Sequence, residues 1–212
     1  MSPLNWRLKV LDEKYKPVRI QAKQKVNGEI ISLACDKTGQ KVVASTNTHT
    51  YFFLDRALVE TIEKEGIKQV IFSRDGSRVI LICFNGIYSY DAWGNERWAY
   101  KTEEDIHSAV FSKNSTHLAV SEGKNLLLLD KEGSIISRKT SDNFVGGVVF
   151  SDSDKILVGM DKGISCFDLT GENLWATHTG NLILGIATSE TNTIAISGKE
   201  LIFINEEGEL IW

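Results

Sequence analysis

Apolar positions in this chain come in short runs, and glycine-, asparagine- and aspartate-bearing turns separate the runs. The stretch IKQVIFSRDGSRVILICFNGIYSYDAWGNERWAYKT, residues 67–102, shows the pattern most clearly. Residues 69–73 form an apolar run, and Arg74-Asp75-Gly76-Ser77 carries turn chemistry, with Gly76 free to take a positive φ. Residues 78–84 are β-branched or apolar at almost every position, which predicts a strand covered on both faces. Asn85-Gly86 reads as a hairpin turn, since both of its positions call for positive φ. Residues 87–91 follow, then a turn at Trp93-Gly94-Asn95, then a charged outer strand over 96–102. Four antiparallel strands in succession make a meander, and the fold class is all-β.

Versions of this unit recur, and the period settles the architecture. The residue closing the first strand is Cys35, Ser73, Ser112, Ser151 and Ser189 in turn, at spacings of 38, 39, 39 and 38. The residue closing the third is Asp55, Asp91, Asp130, Asp168 and Asn205, at 36, 39, 38 and 37. Asp91-x-x-Gly94-x-x-x-Trp98 returns as Asp168-x-x-Gly171-x-x-x-Trp175 and Asn205-x-x-Gly208-x-x-x-Trp212. The third repeat keeps Asp130-x-x-Gly133 but has Ser137 in the tryptophan place. The repeats therefore fall at 26–66, 67–105, 106–144, 145–181 and 182–212, with 1–25 as an N-terminal half blade or extra strand pair.

One stretch resists. DRALVETIEKEG, from Asp55, has a capping aspartate, apolar residues at Leu58, Val59 and Ile62, and a terminating glycine, all suited to a helix. The repeat register puts an outer strand there instead, and the register is followed. Strands such as residues 79–82, 126–129 and 201–204 are apolar without alternation, so both faces need cover. Blades stacked face to face around an axis supply that cover and leave only short edges.

The first-strand signature (Val70-Ile-Phe-Ser-Arg-Asp-Gly, Val110-Phe-Ser-Lys-Asn, Val148-Val-Phe-Ser-Asp-Ser) resembles the start of WD-type repeats. The Asp-x-x-Gly-x-x-x-Trp signature is similar to the tryptophan-docking repeat of quinoprotein-like propellers. Together, over about residues 26–212, they resemble prokaryotic and archaeal WD-like β-propellers. That resemblance implies that Trp98, Trp175 and Trp212 pack between blades as structural residues. Quinoprotein dehydrogenases hold their cofactor and calcium on long insertions, and this chain is bare repeat. No cofactor or metal is expected.

Composition adds little chemistry. With 42% hydrophobic and 25% charged residues, the 212-residue chain suits a globular core. A net charge of −4 gives no reason to invoke nucleic acid or membrane. Residues 2–25 carry +5 and the remainder −9, which reads as a solvated basic edge rather than a phosphate-binding arm. No apolar run reaches membrane-spanning length, and MSPLNWRLKV lacks a signal-peptide core, so the chain reads as cytoplasmic. Cys35, Cys83 and Cys166 read as buried thiols of a reducing compartment. His49, His107, His117 and His178 match no zinc spacing, and no nucleophile elbow, phosphate loop or calcium loop is present.

The expected working surface is the face carrying the loops between blades and between second and third strands. Register places Asn47, His49, Asn85, Asp105, His107, Lys124, Asn143, Phe144, Asp161, His178 and Asn181 there. Phe144, as a large apolar loop residue, is the candidate anchor. The leading reading is a non-catalytic scaffold for a protein partner. The alternatives are a small-ligand or glycan sensor using the central channel and, third, a quinoprotein-like enzyme. Five repeats and a half leave one blade without inner strands, so the ring is expected to self-associate or to take further blades from sequence outside this chain or from a partner.

Overall fold

Each repeat folds because its turns are closed by side chains that accept backbone N–H groups. The computed structural model describes residues 24–102, 104–141, 145–189 and 192–212. The half-blade reading of 1–25 falls on residues 1–23, outside the described ones.

The first sheet holds β1 (Ser32–Cys35), β2 (Lys41–Ser45), β3 (His49–Leu54) and β4 (Ala57–Glu63). The second holds β5 (Ile67–Phe72), β6 (Arg78–Cys83), β7 (Gly86–Asp91) and β8 (Glu96–Lys101). The third holds β9 (Ile106–Phe111), β10 (His117–Glu122), β11 (Asn125–Asp130) and β12 (Ile135–Thr140). The fourth holds β13 (Val145–Phe150), β14 (Ile156–Met160), β15 (Gly163–Phe167) and β16 (Asn173–His178). The fifth has β17 (Ile183–Thr188), β18 (Asn192–Ser197) and β19 (Glu200–Asn205), with residues 209–212 hydrogen-bonded alongside β19. All pairings are antiparallel between chain neighbours, so each sheet is a meander. The stretch after Asp55 is strand β4, as the repeat period requires, and not helix.

Two markers shift in the first sheet. Cys35 pairs with Val42 as Phe72 pairs with Val79, so Asp36, not Cys35, stands where Ser73 does. Lys41 pairs with Leu54 as Arg78 pairs with Asp91, so Leu54 replaces the aspartate. Without that acceptor, Asp55 and Arg56 close the hairpin as a two-residue loop with φ of 46° and 73°. The shorter loop accounts for the contracted spacing.

In the next four sheets the third-to-outer-strand turn is built one way. Asp91 Oδ1 accepts the Trp93 and Asn95 N–H groups, at 2.9 Å each. Asp130, Asp168 and Asn205 accept from the same two positions of their own turns. Gly94, Gly133, Gly171 and Gly208 then take φ of 91°, 85°, 82° and 86°, and each donates back to the acidic or amide residue's carbonyl. Aspartate or asparagine fills this place because its short acceptor reaches N–H groups two and four residues on.

Consecutive sheets meet through four apolar layers. Val43 and Phe52 pack on Val79, Leu81, Tyr88 and Tyr90, and Ile80, Ile82 and Ile87 pack on Leu118, Val120, Leu127 and Leu129. Ala119, Leu126 and Leu128 meet Val148, Ile156 and Val158, and Leu157, Ile164 and Cys166 meet Ala195, Ile202 and Ile204. Each fully buried aliphatic side chain contributes about 1.5–3 kcal/mol. The first strands β1, β5, β9, β13 and β17 lie innermost and line a shared central cavity. Among the described residues no strand of the fifth sheet makes an extended contact with one of the first. Among the described residues the five blades form an arc, with no sheet stacked on the outer face of the first or of the fifth.

Tryptophan spans the blade boundary at the turn. Trp98 lies across Gly133 of the next sheet, and its Nε1–H donates to the Lys131 carbonyl at 3.1 Å. Trp175 repeats this on Gly208, donating to the Glu206 carbonyl at 2.9 Å. A Cβ on Gly133 would sit 2.5 Å from the Trp98 ring. Both indoles are partly buried. Trp98→Ala is therefore expected to cost about 2–3 kcal/mol, less than for a fully buried ring. Gly133→Ala should cost more with Trp98 present than in a Trp98→Ala background, by about 1 kcal/mol, because part of its cost is the clash with the ring. Urea denaturation of the four proteins measures the cycle.

Candidate protein-interaction face

The strand alternation puts the second-to-third-strand loops and the described links between blades at one end of the arc. Backbone bonds clasp these loops together: Gly66 N–H donates to Asn47, Phe84 to Gly66, Gly123 to Asp105, and Thr179 to Lys162. The described loops of this end are thus tied into a hydrogen-bonded platform.

Among the described residues Phe84 is the exposed aromatic of this end, 65% accessible, and sequence reasoning placed it inside a strand. The hairpin loop is Phe84-Asn85, between paired Cys83 and Gly86, and not Asn85-Gly86. Gly86 begins β7 with φ of 147°, where a side chain would run into the Tyr100 carbonyl of the outer strand. Gly163 begins β15 in the same relation to Thr177. Close approach of the outer strand, rather than turn geometry, requires these glycines. Aligned with the other repeats, Phe84 stands where Gly123, Asp161 and Gly198 stand, and that mismatch was the available signal.

Charge surrounds the ring. Lys68 Nζ lies 5.3 Å from the Phe84 centroid, donates to Asp105 Oδ1 at 2.5 Å and to the Ile106 carbonyl at 3.0 Å. His107 Nδ1 is 3.6 Å from Asp105 Oδ2. Lys64 Nζ lies 3.2 Å over the Tyr88 ring, whose hydroxyl donates to Asn85 Oδ1 at 3.2 Å. Beside this patch, between the second and third sheets, the buried Glu122 Oε1 accepts from Tyr100 Oη at 2.8 Å. Arg138 donates to the same Tyr100 oxygen at 2.7 Å and lies 3.6 Å from Glu122 Oε2. Burial and the Glu122 carboxylate raise the Tyr100 pKa, so its hydroxyl stays a donor.

Of the expected residues, Asn85, Asp105 and His107 gather around Phe84. Asn47 and His49 lie at the adjoining loop of the first sheet, where His49 Nδ1 pairs with Thr48 Oγ1 at 2.8 Å. Lys124 contributes a carbonyl to Ser141, while Asp161, His178 and Asn181 sit apart at the fourth and fifth sheets. Asn143 and Phe144 lie outside the described residues.

The central cavity, about 560 Å³, is lined mainly by Leu33, Val70, Phe72, Val110, Phe111 and Phe150, with Gln69, Arg74 and Thr188 as its polar members. Among the described residues no group of three or more His, Cys, Asp or Glu side chains gathers as metal ligands would. Burial pushes the Cys83 and Cys166 thiols up to about 11, which keeps them protonated. Cys35, expected to be buried, is exposed, on the face of the first sheet that no described sheet covers. No helix among the described residues is long and apolar enough to cross a membrane.

The Lys68 hydrogen bond holds the Asp105 carboxyl below the ordinary 3.8, and the Lys68 and His107 charges act the same way. A lowered carboxylate pKa gives stability that is present above 3.8 and lost as pH falls through the lowered value. Lys68→Met is expected to move the Asp105 titration upward toward its ordinary range, read by NMR of the side-chain carboxyl carbon. A titration that stays put would show that Lys68 does not set it.

No family model matches the sequence, and no curated protein is significantly similar to it. Solved structures are similar in fold. BamB from Moraxella catarrhalis superposes with a TM-score of 0.70 at 16% identity, over 89% of this chain and 62% of that one. The Cps50 (Swd1) β-propeller domain of Myceliophteria thermophila gives 0.66 at 14% identity, over 86% of this chain and 71% of that one. This chain thus spans less than two thirds of the length of BamB. At these identities the likeness is one of fold, and it agrees with the blades and their turns: the architecture is that of a β-propeller.

Proposed function

We propose that this chain is a non-catalytic propeller scaffold that binds a protein partner through the loop platform centred on Phe84. The observation carrying the reading is a large aromatic held out of the core by a hydrogen-bonded hairpin loop. An exposed ring on a rigid base loses little entropy on binding, and aromatic anchors of this kind supply much of an interface's energy. The rim of Lys64, Lys68, Asp105 and His107 is both basic and acidic, which suits a protein surface better than a uniformly charged polymer. Protonated, buried thiols fit a reducing compartment, and a cytoplasmic setting belongs to the same proposal.

The test is site-specific photo-crosslinking from position 84 in the native host, followed by affinity measurement with the captured protein. Phe84→Ala is expected to weaken that affinity at least about tenfold, an anchor-sized effect. Stability should change by no more than about 0.5 kcal/mol, because the ring is exposed. Equal affinity of the Phe84→Ala and unaltered proteins would overturn the proposal.

A further inference from the structure

We infer that the groove between the first and second sheets, beside Phe84, receives a carboxylate side chain of the partner protein between Lys64 and Lys101. Phe84 as the docking face is the premise: the groove runs to its loop, and Asn85 belongs to both. The equivalent boundary between the second and third sheets is closed by the chain's own side chains. There Arg138 donates to Tyr100 Oη at 2.7 Å and stands 3.6 Å from the buried Glu122. Arg138 pairs with Leu127, the third residue of its sheet's third strand, as Ala99 pairs with Tyr88 and Ala176 with Ser165. Alanine thus holds the arginine's place at the boundaries before the second and fourth sheets. Glu122, paired with Asn125, has Cys83 and Met160 as counterparts, paired with Gly86 and Gly163. Both boundaries that lack the guanidinium are open. A groove of about 760 Å³ lies along Ala99, and one of about 230 Å³ lies along Ala176 and Met160.

The larger groove has lost the acid with the guanidinium and carries positive charge at its Phe84 end. Lys64, from the first sheet, lies 3.2 Å over the Tyr88 ring, and Lys101 ends β8 of the second. Among the described residues neither lysine ion-pairs with a carboxylate, whereas Lys68, Lys113, Lys131 and Arg97 do. The aromatic contact positions the Lys64 ammonium without neutralising it. Tyr88 Oη donates to Asn85 Oδ1, which leaves the Asn85 amide N–H groups as donors. The acid among the described lining residues, Glu96, accepts from Tyr90 Oη at the other end of β8. By strand rise it stands roughly 15 Å from Lys101. A carboxylate is therefore drawn to the Phe84 end and repelled from the far one. Among the described lining residues no arginine offers the forked contact that suits phosphate, which favours the singly charged group. The complementary partner carries an Asp or Glu next to the residue that covers Phe84.

The probe is the peptide acetyl-Leu-Glu-Thr-Leu-amide, titrated into the full chain at low salt, with its Gln analogue as control. Binding is followed by the backbone amides of Lys64, Tyr88, Ala99 and Lys101. The Glu peptide should bind at least about fivefold more tightly than the Gln peptide. Added salt should shrink that preference. Lys64→Met combined with Lys101→Met should erase it. Ala99→Leu, at an exposed position, fills the groove without changing charge and should abolish the shifts from both peptides. Equal affinity for the two peptides, a preference that survives loss of both lysines, or no shift with either peptide overturns the inference. Tighter binding of inorganic phosphate than of the Glu peptide also overturns it, since the site then suits a phosphate. Phe84→Ala keeps this result apart from the platform reading. Its effect is on affinity for the crosslinked partner, while the Glu-over-Gln preference is set by the lysines and should persist in that variant.

Discussion

Every sheet in this molecule is apolar on both faces, and that one constraint organises the rest. A strand such as β6, buried from Val79 to Cys83, is soluble only if a neighbour lies on each side. Stacking around an axis satisfies the requirement for all interior blades at once, without helices. The same constraint marks the two ends. Leu33 on the first sheet is exposed, while its equivalents Val70, Ala109 and Val148 are buried. Exposure of this kind concentrates interaction potential at defined places.

The architecture was legible because repetition averages out local ambiguity. Residues 55–66 have helical patterning on their own, and only the period shows that they pair with β3 as strand β4. Where the reading slipped, it slipped by a single residue, for physical reasons. Asp55 mimics the marker aspartate but sits one place too late, because Leu54 cannot accept the turn's N–H groups and a shorter loop forms instead. Asn85-Gly86 mimics a hairpin turn, but Gly86 is needed by the Tyr100 carbonyl, which displaces the loop onto Phe84. That slip hid the residue on which the candidate face is centred. Contacts across the loop platform, such as Lys68 with Asp105, are 37 positions apart and leave no trace in local pattern.

Two buried serines show how polar groups hold the strand turns together. Ser73 and Ser112 are almost fully buried, and each hydroxyl takes the N–H of the residue opening the next strand while donating to Asp75 or Asn114. In such Ser-x-Asp and Ser-x-Asn turns the side-chain acceptor two residues on also takes N–H and hydroxyl groups of the same turn.

The turns also separate folding from docking. Asp130-x-x-Gly133 and Asp168-x-x-Gly171 adopt the same hydrogen bonds, although the first is covered by Trp98 and the second by Ser137. Gly94 keeps the geometry too, under Glu60 of the first sheet. The turn is therefore made by its own Asx residue and glycine, and the indole adds a contact to a structure already complete. A tryptophan in the outer strand is then not required for its own sheet to form. In the interior it joins one blade to the next, and its cost and benefit are confined to that boundary. Trp212 shows the separation: its carbonyl accepts the Phe203 N–H at 2.8 Å, so its strand is paired, while its ring, expected to pack between blades, lies 77% exposed at 5.3 Å from the Phe203 ring.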